Sequence, residues 1–64
     1  MRHTEFWARM EAHFGSAYSH VWADQTVIAA LNHLTVNQAL DSGVAPKVVW
    51  RAVWAFEEMP LSER

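Results

Sequence analysis

The 64-residue chain has no cysteine, only two glycines and two prolines, and no apolar run long enough to cross a membrane. Without cysteine there is no disulfide framework and no thiolate metal site, which argues against a small secreted scaffold. The opening Met1-Arg2-His3-Thr4 leads into an amphipathic stretch rather than the apolar segment of a signal peptide. The expectation is a cytoplasmic protein with no membrane role. Positive charge is also scarce, with five Lys and Arg against seven Asp and Glu and a formal net charge of −2. That balance removes the usual electrostatic drive toward non-specific nucleic-acid or anionic-membrane binding. What is abundant is apolar side chain: 52% of residues are hydrophobic and four are Trp. Such a composition opposes disorder and predicts one helical domain spanning residues 1–64.

Hydrophobic spacing organises the chain into short helices. Phe6, Trp7, Met10 and Phe14 share one arc at ~100° per residue, with Glu5 and Arg9 opposite as an i,i+4 pair. Thr4 is placed to cap this first helix and Gly15 to end it. Ser16 can cap a second segment in which Tyr18, Val21 and Trp22 share a face. The phase breaks at Gln25, after which Val27, Ile28, Leu31 and Leu34 form a new stripe with Asp24 as its cap, so residues 16–34 read as two short helices or one bent helix. Thr35-Val36-Asn37-Gln38 has capping-box form, Ala39 and Leu40 supply a buried side, and Gly43 supplies a stop. Pro46 suits the first turn of a last helix that runs to about Glu58, followed by Pro60 and a frayed tail. The expected fold is all-α, a compact bundle of four to five short helices with the last helix central.

That last helix is apolar around most of its circumference. Val48, Val49, Trp50, Ala52, Val53, Trp54 and Phe56 leave only a narrow polar wedge holding Lys47, Arg51 and Glu58. A helix of this kind either lies at the centre of a bundle or offers a second face to a partner. In so short a chain the Trp50/Trp54 edge is expected to be the least covered part.

Signals of chemistry are sparse. His3, His13, His20 and His33 are spaced 10, 7 and 13 residues apart, with no H-E-x-x-H and no close ligand pair, so no metal is expected. The serines lie in no G-x-S-x-G context and the glycines form no phosphate-binding loop. Glu57 and Glu58 are adjacent and would diverge by about 100° on a helix, which prevents them from acting as a facing acid/base pair. No catalytic residue and no cofactor are expected. Counting Thr35 as the first position of a helix-turn-helix places Ala39, Gly43, Val44 and Val49 where that motif wants small, turn and apolar residues, with Lys47, Trp50, Arg51 and Trp54 facing outward. Gln38 and Ser42 fall at positions that are usually apolar, and two basic side chains offer little phosphate neutralisation. Ala39-Leu40, Gly43-Val44, Pro46-Lys47 and Arg51-Ala52-Val53 also resemble small three-helix modules of ubiquitin-associated type and the C-terminal module of a Holliday-junction helicase subunit. Those modules bind proteins through the glycine-containing loop and the edge of the last helix.

The whole chain resembles a family of short actinobacterial proteins, domain-of-unknown-function family 3046. The resemblance is carried by Met1-Arg2, Thr4-Glu5-Phe6-Trp7, Arg9-Met10, His13-Phe14-Gly15, Tyr18, Trp22, Thr35-Val36, Ala39-Leu40, Gly43-Val44, Pro46-Lys47 and Val49-Trp50-Arg51-Ala52-Val53. It implies a small helical intracellular protein, with genes often near those of a recombinase and its regulator, and it implies no activity, cofactor or catalytic residue. Three places depart from the family pattern. Asn32-His33-Leu34 stands where a Gly-Gly-Arg-like turn is common, which suggests a longer preceding helix; Ala45 replaces a capping Asp; and Trp54 replaces a smaller residue, enlarging the aromatic edge. The combined expectation is a non-enzymatic interaction module that docks a protein partner or a second copy through Val44, Lys47, Trp50, Arg51 and Trp54. The alternative is a small helix-turn-helix-like DNA-associated protein using Lys47 and Arg51.

Overall fold

The computed structural model describes all 64 residues. Four α-helices account for most of the chain: α1 (His3–Phe14), α2 (Tyr18–Gln25), α3 (Val36–Asp41) and α4 (Pro46–Phe56). Between α2 and α3 lies a two-stranded antiparallel hairpin, β1 (Val27–Ile28) and β2 (Leu34–Thr35), with Val27 opposite Thr35 and Ile28 opposite Leu34. A 3-10 turn over Ala29–Leu31 sits in the hairpin loop, and a second one over Leu61–Glu63 closes the chain. The fold is mostly helical but not all-α.

The hairpin corrects the helical reading of Val27, Ile28, Leu31 and Leu34. Thr26, Val27 and Ile28 are three consecutive β-branched residues, which favour extended backbone. Ile28 and Leu31 are buried while Val27 is exposed, so the stripe that looked helical is an alternation followed by a turn. Asn32 and His33 both adopt left-handed backbone, with φ of 57° and 61°, and return the chain into β2. The turn expected of the family therefore survives without its glycines, and no longer helix replaces it. Asp24, expected as a cap, is an exposed residue near the end of α2.

Helix ends follow the expected chemistry in part. Thr35 Oγ1 accepts from the Gln38 amide at 3.1 Å and Gln38 Oε1 accepts from the Thr35 amide at 3.0 Å, a complete capping box. Beyond α3 the Gly43 amide donates to Leu40 O and the Val44 amide to Ala39 O, the paired bonds of a Schellman ending, with Gly43 at φ 96°. Gly15 ends α1 at φ 94°, ψ 152°, a region that side chains rarely enter. Two expected caps are absent: α1 starts from Arg2 rather than Thr4, and α2 from Ala17 rather than Ser16, neither with a side-chain cap.

Pro46 is at the first turn of α4, as its fixed φ favours, but Ala45 supplies no side-chain acceptor. Ala45→Asp should therefore raise stability by about 1 kcal/mol, read as a higher urea midpoint at unchanged slope.

The core joins Phe6 and Met10 of α1, Trp22 and Ala23 of α2, Ile28 and Leu31 of the hairpin, Val36 and Ala39 of α3, Val49, Trp50 and Val53 of α4, and Met59. Every α-helix contributes, and no buried side-chain polar atom lacks a partner. α4 gives only one side to this core. Lys47, Val48, Arg51, Ala55 and Phe56 face solvent, so the helix flanks the core instead of occupying its centre.

Candidate interaction surface

The aromatic edge expected to be open is closed by the C-terminal segment. Trp50 is 1% exposed and Trp54 is half-buried. Each indole N–H donates to a backbone carbonyl of that segment: Trp50 Nε1 to Glu63 O at 2.9 Å and Trp54 Nε1 to Pro60 O at 2.8 Å. Phe6 meets Trp50 edge-on at 6.3 Å between ring centroids, the Arg9 guanidinium lies 5.8 Å from the Trp50 ring, and that of Arg64 lies 5.4 Å from the Trp54 ring. Arg9 Nη1 also donates to Arg64 O at 3.3 Å. The expected frayed tail is thus a strap along α4. Trp50 cannot face a partner, and Trp54 presents only part of its ring.

The other three residues singled out in the sequence have different fates. Val44 is half-buried at the end of the α3–α4 corner and packs against the core. Lys47 and Arg51 are exposed, one helical turn apart, and neither makes an ion pair within the chain. Together they form one edge of the outward side of α4, next to Val48.

That outward side, and not the Trp50/Trp54 edge, holds the exposed apolar residues of α4. Val48, Ala52 and Phe56 follow one another at i, i+4 and i+8 and therefore lie along one row. Val48 is 54% and Phe56 48% exposed. The row continues onto other elements through ring contacts: Phe56 meets Trp22 at 5.9 Å, Trp22 stacks on Phe14 at 4.4 Å, and Phe14 meets Tyr18 at 6.4 Å, with Tyr18 56% exposed. The result is an exposed apolar row on α4, Val48 and Phe56, backed through the buried Trp22 by the half-buried Phe14 and the exposed Tyr18 where α1 meets α2. A cue for it was present in the shared face of Tyr18, Val21 and Trp22, but the meeting of that face with Phe14 and Phe56 is set by tertiary packing.

Charge marks both ends of the row on α4. Lys47 and Arg51 flank Val48, whereas Glu57 and Glu58 follow Phe56. Glu57 Oε1 lies 3.1 Å from His13 Nε2, joining the last turn of α1 to the end of α4. His20 Nε2 lies 3.3 Å from Glu11 Oε2, and the His20 ring stacks on Trp7 at 4.5 Å, joining α1 to α2. These two histidines act as inter-helix tethers, while His3 opens α1 and His33 lies in the hairpin turn.

No helix is long and apolar enough to cross a membrane. No curated protein and no solved structure matches the chain. A family match covers residues 1–62 and nearly every element described above, and by it the chain belongs to the family described as Protein of unknown function (DUF3046).

Proposed function

We propose that the protein is a non-enzymatic cytoplasmic interaction module that docks a protein partner on the outward side of α4. The observation that carries this reading is the apolar row through Val48 and Phe56, bordered by the unpaired cations Lys47 and Arg51. Exposed apolar side chains aligned on one helix and rimmed by charge are the usual anatomy of a binding face. Val44 borders the face at its corner, whereas Trp54, two residues before Phe56, points to nearly the opposite side of α4 and lies against the C-terminal strap. Trp50 serves from behind by fixing α4 against α1 and the C-terminal strap.

A photo-crosslinking amino acid placed at Val48, and separately at Ala30 on the hairpin loop, tests the reading in growing cells. Adducts to a defined protein at position 48 that are missing at position 30 are expected. Identical adduct patterns at both positions, or none at position 48, would remove this reading.

One observation favours a DNA-associated role as the second reading. Lys47 and Arg51 are free on the second helix of an α3–turn–α4 corner, as a helix-turn-helix would require. A link to DNA repair or recombination belongs with the first reading, the interaction module. A gel shift at about 50 mM salt decides the second, because phosphate-driven binding is strongest at low salt and Lys47→Ala with Arg51→Ala should abolish it.

A further inference from the structure

The charges of α4 are placed against its own dipole. Lys47 stands in the first turn, at the positive end, and neither an acidic residue there nor a basic one in the last turn offsets it. At the negative end the C-cap is Glu57, followed by Glu58. Glu58 is anomalous twice over. The Glu58 amide donates to Ala55 O and the Met59 amide to Trp54 O, a Schellman ending that puts residue 58 where glycine is favoured, and Glu58 takes φ 53° to make it. A lone chain would be better served by an acid at 47 and a glycine at 58.

An antiparallel second copy gives each of the two misplaced charges a partner. We propose that the outward side of α4 pairs with the same side of α4 in a second copy of this chain, about a two-fold axis. The pairing rests on the docking face identified above and names its occupant. Two-fold symmetry brings the Lys47 end of each helix over the Glu58 end of the other, so one self-complementary surface makes the contact twice. Each cation then faces a carboxylate and the negative end of the neighbouring helix. Between the ends, Ala52 and Ala55 are small enough to let the helices approach, and Val48 and Phe56 are covered. Glu57 is already engaged by His13, which leaves Glu58 as the free anion.

Sedimentation velocity on the whole chain, from about 10 µM to 1 mM, tests the pairing at the low affinities that a one-helix interface gives. A monomer–dimer equilibrium weakened by salt is expected. Lys47→Glu and Glu58→Lys should each weaken it by about tenfold or more. Both substitutions agree with the α4 dipole, so at concentrations too low for association each variant should melt no lower than the parent, and misfolding cannot explain the loss. An equimolar mixture of the two variants should recover the dimer, because both contacts in the mixed pair then join opposite charges. Glu58→Gly should melt higher while associating more weakly. A monomer throughout the concentration range, or a mixture that associates no better than its components, overturns the pairing. If the monomer still crosslinks at position 48 to a different protein, only the pairing falls; if it crosslinks to nothing, the docking face falls with it.

Discussion

Trp50→Ala is expected to remove about half or more of the stability of the fold at 25 °C. Removing a fully enclosed indole costs about 3–5 kcal/mol in lost burial and residual cavity. A domain of this size has roughly 3–10 kcal/mol in total at the usual stability per residue. Trp50 is also poorly placed for the loss to be absorbed. Its ring touches Phe6 edge-on, its N–H reaches Glu63 O, and Val49 and Val53 beside it are fully buried. Collapse into the gap would have to move α1, α4 and the C-terminal segment together. Trp50→Phe separates two contributions, since it keeps an aromatic ring near Phe6 and loses the N–H donor; a cost between that of alanine and zero is expected. Trp54→Ala is the control, because Trp54 is only half-buried and its loss should leave a folded protein. Far-UV circular dichroism with urea titration measures all three. A Trp50→Ala variant with a cooperative transition within about 1 kcal/mol of the parent would show that this indole does not hold the core.

The contrast between the two tryptophans shows what a helical wheel can and cannot read. The wheel identified α4 as unusually apolar, and the capping box at Thr35, the stops at Gly15 and Gly43 and the start at Pro46 were all visible locally. Each of those features depends on a few consecutive residues, so sequence is sufficient to find it. Which side of α4 stays open depends on where the chain goes after Pro60. The polar backbone of the strap accepts the indole protons, and no apolar pattern announces a carbonyl as a binding partner. Hence the Trp50/Trp54 edge is closed, while Val48 and Phe56 on the other side of α4 lie in solvent. The hairpin was missed for a related reason. Val27, Ile28, Leu31 and Leu34 fit a 3.6-residue period by number, but two left-handed residues at Asn32 and His33 cannot belong to a helix. His33 in particular carries no local sign of that backbone. The family resemblance points to a turn at this place, and Asn32-His33 makes it without glycine.

Deleting Pro60–Arg64 should lower the melting temperature by about 10–20 °C without abolishing the fold, given 4–8 °C per kcal/mol for a domain of this length. The deletion removes the acceptors of both indole N–H groups, at about 1 kcal/mol each, and the Arg64 guanidinium near Trp54, at about 0.5–1 kcal/mol. It also removes the carbonyl that receives Arg9 Nη1. The tryptophan emission should shift to longer wavelength as the Trp50/Trp54 edge meets water. A second variant identifies the part of the strap that matters. Changing Leu61, Ser62, Glu63 and Arg64 to alanine together keeps every backbone acceptor, and Leu61, at 75% exposed, buries little to lose. That variant should fall by less than about 1 kcal/mol and keep its emission maximum, because the strap holds α4 through its main chain. Equal losses in the two variants would place the stabilisation in the side chains instead. A deletion with unchanged melting and emission would mean that the segment is frayed, as its sequence first suggests, and that the aromatic edge of α4 is open to a partner after all.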